Sequence, residues 1–220
     1  MSLFRLDSSI QGARSTSRAV ADTAEQAWAR THPSGLITRR DLVASPLPPH
    51  AWTSAVSAEF VPADQHTDKQ AEAVALATEL VDELFAAEAY LLAVPLYNYG
   101  VSQHVKNWID LVITDPRMAG TGGRPPLAGR PAALITSRGG GYGPGAPREG
   151  WDHATPYYRR IFGDLFGMEL HVSEIELTMA EINPAMAALR DQARQQLEAG
   201  HVSAEKHGEL LAQHVLDQQS

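Results

Sequence analysis

Ala89-Tyr90-Leu91-Leu92-Ala93-Val94 decides the fold. The segment is apolar on both faces, as a strand in the middle of a parallel sheet has to be. Pro95 follows and stops the ladder where the strand leaves the sheet. Outward from it, strand and helix patterns alternate. Residues 3–6 read as a first strand. Val20, Ala24, Ala27 and Trp28 lie on one helical face over residues 17–30. Residues 36–42 read as a second strand, ended by a proline-rich stretch, and residues 50–66 as irregular. Thr67 and Gln70 make a capping box for a helix whose stripe is Val74, Ala77, Val81 and Leu84.

Beyond the central strand, residues 101–113 predict a helix burying Val105, Trp108, Ile109 and Val112. Residues 131–136 read as a fourth strand, 152–166 as a helix and 170–177 as a last strand. Asn183 then caps a helix with Pro184 at its first position. Gly200 reads as that helix's C-cap, and a further terminal helix carries Leu210, Leu211 and Val215. This alternation predicts an α/β fold: a doubly wound, five-stranded parallel sheet with helices on both faces, in one domain over residues 1–220. In such sheets ligands bind beyond the carboxyl ends of the strands, where the strand order reverses.

Composition narrows the function classes. The chain has 220 residues, 44% hydrophobic and 20% charged, an ordinary globular composition. Its net charge is −8, which repels phosphate polymers and argues against a nucleic-acid partner. It has no cysteine, which removes disulfides, thiolate metal sites and cysteine nucleophiles. His201, His207 and His214 lack the spacing of a helical metal pair, so no metal is expected. No stretch has the length of a membrane span, and the start lacks the pattern of a signal peptide. The expectation is a cytoplasmic protein with no membrane partner.

Three loops at the strand ends carry unusual residues. After the first strand come Ser8, Ser9, Arg14, Ser15, Thr16 and Ser17. A helix start offers free N–H groups and partial positive charge, which suits a monophosphate, and the same residues also serve as plain N-caps. After the third strand, Leu96-Tyr97-Asn98-Tyr99 offers either a stacking surface for a flat ring or a cap on the core. After the fourth, Ser137-Arg138-Gly139-Gly140-Gly141-Tyr142 is either an acceptor-binding nest or a mobile surface loop.

Taken in order, these loops resemble the FMN-dependent NADH:quinone oxidoreductase and azoreductase family, which has a flavodoxin-like fold. The resemblance also covers Lys106-Asn107-Trp108-Ile109-Asp110. It implies that Ser9, Ser15, Thr16 and Ser17 hold the FMN phosphate. It implies that Leu96, Tyr97, Asn98 and Tyr99 lie along the isoalloxazine, and that Ser137, Arg138, Gly139 and Gly140 bind its polar edge. It further implies a homodimer with active sites at the subunit boundary. The activity expected is ping-pong reduction of a quinone, azo or related electron-poor aromatic acceptor by NADH or NADPH. The flavin does the chemistry, so no certain catalytic side chain is expected; Tyr142 is a candidate for the substrate oxygen. A flavodoxin-type electron carrier and a flavin-free binding protein are the competing readings. The segment from Thr114 to Gly120 lacks the phenylalanine that often roofs the flavin in the family. Trp151 either rebuilds that pocket or seals a dimer, and Tyr157 and Tyr158 are expected in dimer packing.

Overall fold

The computed structural model describes residues 1–120 and 122–218. Among them, five strands form one all-parallel sheet: β1 (Ser2–Asp7), β2 (Leu36–Asp41), β3 (Ala89–Ala93), β4 (Pro131–Ser137) and β5 (Glu169–Ile175). The order is β2-β1-β3-β4-β5, that of a flavodoxin-like doubly wound sheet. The order reverses between β1 and β3, whose register pairs Leu3 with Ala89 and Asp7 with Ala93. β3 and β4 are buried along their whole lengths, because helices cover both faces of the sheet.

One face packs under α2 (Ala51–Ala58), α3 (Asp68–Ala86) and α4 (Gln103–Ile113), around Phe4, Leu80, Tyr90 and Trp108. The opposite face packs under α1 (Thr16–Thr31) and α6 (Arg190–Asp217), around Leu3, Trp28, Leu91 and Ile135. The Thr67–Gln70 capping box at the start of α3 is present in both directions. Ser102 caps α4 by accepting from Val105 N–H at 3.3 Å.

Several expectations change. Residues 50–66 are not irregular: they hold α2 and a short 3₁₀ turn, Ala63–Gln65. The buried face of α2 is only Ala51, Ala55 and Ala58, too small in volume to stand out as a hydrophobic stripe. Val74 faces solvent; Ala73 and Leu80 take its place beside Ala77, Val81 and Leu84. The helix expected over 152–166 is α5 (Thr155–Tyr158), continued by a π-helical stretch, Arg159–Leu165. Tyr158 does not wait for a second subunit. It is fully buried, stacked on Phe162 at 5.8 Å.

Gly200 does not end a helix. α6 runs straight through it and Gly208, joining the two expected terminal helices. At Gly200 a Cβ would come within 2.6 Å of Ile175 Cγ1, and at Gly208 within 2.1 Å of the Ala24 carbonyl oxygen. Both glycines are there for close approach of α6 to β5 and α1, not to stop the helix.

Candidate active site

The loops after β1, β3 and β4 converge at the carboxyl edge of the sheet, where they bound a cleft of about 330 Å³. Its first wall is the start of α1. Ser8 N–H donates to the Ala93 carbonyl at 3.2 Å, fixing the loop at the switch point. Ser15 is the N-cap: its Oγ accepts from Arg18 N–H at 3.2 Å and lies 3.1 Å from Ser17 Oγ. Thr16 and Ser17 open the helix, so their N–H groups have no intrahelical acceptor and carry the positive end of the helix dipole. Ser9, Ser15 and Thr16 line the cleft, and so does Gln11. The Ser17 side chain does not; it is fully buried. Arg14 projects to solvent. Arg18 is committed to Asp41 at 2.6 Å and to the Ser9 carbonyl. Burial pushes the Asp41 carboxyl up, but Arg18 and the N–H groups of Val43 and Ala44 outweigh it and hold the pKa at about 2.

The second wall follows β3. Leu96 N–H donates to the Ser137 carbonyl at 2.9 Å, which carries the chain past Pro95 alongside β4. Tyr97 and Gly100 then exchange backbone hydrogen bonds at 3.3 and 3.0 Å. Between them, Asn98 has φ of 48° and Tyr99 φ of 67°. Two consecutive left-handed non-glycine residues are costly, and such strain collects at functional sites. The turn leaves the Asn98 and Tyr99 N–H groups without an acceptor among the described residues. The Tyr97 hydroxyl accepts from Ile10 N–H at 3.1 Å and lies 3.2 Å from Ser9 Oγ, so it ties this turn to the first loop.

The third wall follows β4. The carbonyls of Arg138, Gly139 and Gly140 accept from the N–H groups of Thr178, Met179 and Leu177 at 3.0, 3.2 and 3.2 Å. With the carbonyls tied down, the Gly139 and Gly140 N–H groups have no acceptor among the described residues. A Cβ on Gly139 would meet Met179 Cγ at 2.8 Å. Ser137, Gly139, Gly140 and Tyr142 line the cleft. Burial raises the Tyr142 phenol above its ordinary pKa, further from a neutral pH at which any tyrosine is already protonated and able to donate.

Arg138 is elsewhere. Its guanidinium is buried, 2.8 Å from Asp152 and Glu174, 3.2 Å from Glu176 and 3.0 Å from Thr155 Oγ1. It braces the loops from behind and takes no part in the cleft lining. The segment after β5 is part of that lining: Thr178, Met179, Asn183 and Met186. Sequence pattern points only to the loops after β1, β3 and β4. The signal was the adjacency of β5 to β4, which brings the end of β5 to the same edge. Trp151 stacks edge-on against Tyr99 at 5.3 Å, and Tyr99 lies 6.4 Å from Tyr142. Trp151 therefore belongs to the rim of the site, half exposed above the strained turn. No group of histidines and carboxylates able to hold a metal occurs among the described residues. No helix among them is long and apolar enough to cross a membrane.

An all-parallel sheet of this order, with a polar cleft at its switch point, defines a flavodoxin-like protein. The family model for the flavodoxin-like fold matches residues 1–199. An FMN-dependent NADH:quinone oxidoreductase from Parafrankia sp. (strain EAN1pec) is 43% identical, covering 86% of this chain and 90% of the relative. One of that description from Streptomyces avermitilis is 39% identical, covering 96% of both chains. Among solved structures, an azoreductase from Bacillus anthracis str. Sterne superposes with a TM-score of 0.77 over 95% of this chain and 99% of that one, at 19% identity. An FMN-dependent NADH-azoreductase from B. anthracis str. Ames Ancestor, in complex with FMN, gives a TM-score of 0.74 at 16% identity, covering 96% of this chain and 98% of that one. The chain belongs to the flavodoxin-like fold family, alongside these FMN-dependent NADH:quinone oxidoreductases.

Proposed function

We propose that the protein is an FMN-dependent NAD(P)H oxidoreductase acting on quinones, azo compounds or related electron-poor aromatics. The observation that carries this reading is one cleft lined by residues with unclaimed backbone N–H groups on three sides: Thr16, Asn98 with Tyr99, and Gly139 with Gly140. Donors so spaced suit a flat, multiply accepting ring system with an anionic tail. Bound there, FMN would supply the redox chemistry, a two-electron relay from NADH or NADPH to the acceptor that takes up one solvent proton per quinone.

The chain's own residues bind and orient. The start of α1, with Ser9, Ser15 and Thr16, takes the phosphate. Leu96, Tyr97, Asn98 and Tyr99 run along one side of the ring, and the strained turn aims its two N–H groups rather than leaving them to search. Ser137, Gly139 and Gly140 meet the pyrimidine edge; with no side chain on the glycines, the backbone approaches closely. The Tyr142 phenol, protonated at neutral pH as any tyrosine is, donates to an acceptor oxygen. Donor and acceptor occupy the same open face in turn, which predicts ping-pong kinetics. The active form is a homodimer, with the aromatic rim around Trp151 at the subunit boundary.

Spectroscopy and kinetics test this directly. Protein purified with added FMN should be yellow and should retain the flavin on gel filtration. A panel of quinones with NADH and NADPH should give parallel double-reciprocal lines. Failure to retain FMN overturns the reading, and intersecting lines overturn the shared face.

A further inference from the structure

Every residue lining the cleft is uncharged except Arg148. It follows Pro147 in the excursion between β4 and α5 and is half-buried. Its guanidinium lies against Gly140: a Cβ there would meet Arg148 Nη1 at 2.5 Å and Cζ at 3.5 Å. The excursion holds it there through successive turns, with Ala146 N–H donating to Gly143, Glu149 N–H to Ala146 and Trp151 N–H to Arg148, all at 3.0 to 3.1 Å.

Among the described residues Arg148 makes no ion pair, although carboxylates are near in the chain and in the fold. Each of those has another partner. Glu149 accepts from Gly145 N–H at 2.8 Å. Asp152 holds Arg138 and accepts from the N–H groups of Ala154 and Thr155. Glu174 holds Arg138, and Glu176 holds both Arg138 and Tyr142 N–H. A half-buried cation with no protein counter-charge, facing a cleft beside two unclaimed N–H groups, is arranged for negative charge that a ligand brings.

We propose that Arg148 is the positioned counter-charge for the cofactor's pyrimidine edge at the Gly139–Gly140 end, and that it favours the reduced, more anionic flavin over the oxidised one. This rests on the FMN reading above. It replaces Arg138, which sequence alone offered for that role and which three carboxylates neutralise. Arg148 lies against Gly140, whereas the phosphate is assigned to Ser9, Ser15 and Thr16, so the arginine tunes the ring without holding the tail.

The test is a redox titration of FMN-loaded wild type, Arg148→Gln and Arg148→Lys against a reference dye, beside fluorescence titration of each apoprotein with oxidised FMN. In Arg148→Gln the reduced cofactor should lose about tenfold in affinity relative to the oxidised one, a midpoint about 30 mV more negative. Oxidised FMN should bind within about threefold of wild type, and Arg148→Lys should recover most of the potential. An unchanged midpoint in Arg148→Gln overturns the proposal. If KM then rises for a carboxylate-bearing acceptor but not for a neutral quinone, the charge serves the acceptor instead; if neither moves, it is a loop charge only. Wild-type protein that fails to bind FMN would sink the functional reading itself, a different outcome from a flavoprotein whose potential ignores Arg148.

Discussion

At the α1 end of the cleft the polar groups come from one stretch of chain, Ser9 to Thr16. At the Gly139–Gly140 end they come from several. The glycine carbonyls are held by residues 177 to 179, the cation comes from Arg148, and the brace from Arg138 with Asp152, Glu174 and Glu176. The first end is a local device: a cap, a helix start and hydroxyls already next to one another. The second is a tertiary device, whose polarity exists only after β5 has docked on β4.

The largest effect should come from removing the brace. Arg138→Leu leaves three carboxylates without their shared cation, two of them, Asp152 and Glu176, largely buried. Unfolding in urea should show a loss of about 3 kcal/mol, the low end for a broken buried pair because Glu174 is partly exposed. A loss under 1 kcal/mol would mean the glycine end does not depend on its support. Next comes the local end. Replacing Ser15 and Thr16 together by alanine should weaken FMN binding about a hundredfold, two charge-assisted hydrogen bonds, while riboflavin binding barely changes. Equal losses for both ligands would place the phosphate elsewhere.

Tyr97→Phe cuts the tie between the two local loops. It frees Ile10 N–H and Ser9 Oγ from the phenol. Thermal melts should show a loss of about 1 kcal/mol, with FMN affinity down severalfold. The smallest effect lies away from both ends, at the edge of β5. There His207 Nδ1 is 3.0 Å from Ser173 Oγ and its ring 5.4 Å from His171. Burial first, then His171, lowers the His207 pKa from 6.5 to about 4. The unfolded chain takes up this proton near pH 6.5 and the folded one only near 4. The stability it contributes is therefore intact above 6.5 and lost progressively as pH falls toward 4. A Tm measured at pH 7 and pH 5 should drop by a few degrees, and by less in His207→Gln.

The same contrast explains what could be read from sequence. The five strands, the capping box at Thr67 and the hydroxyl loop are local patterns, and the fold follows them. Helix α2 escaped because its buried face is three alanines and His50 offers no capping side chain. Gly200 misled because a glycine in a helix looks like a stop, whereas the close approach of Ile175 is what requires it. Arg138 and Arg148 are alike in local context: both sit among glycines after β4. Which one faces the cleft is settled by Glu174 and Glu176 on and just after β5, far along the chain, and no spacing rule could have said so.

The excursion from Gly141 to His153 is pinned at both ends. Tyr142 N–H is bonded to Glu176, and His153 N–H to the carbonyl of Tyr99 at 2.9 Å, on which Trp151 also rests. A hoop fastened in this way cannot swing aside like a door. Its middle is closed by turns of its own, with Ala146 N–H on Gly143 and Gly145 N–H on Glu149, and its far fastening is the contorted bend that presents Asn98 and Tyr99. Whatever pries the hoop upward also tugs on that bend, so entry of a bulky guest is mechanically linked to the grip on the ring beneath.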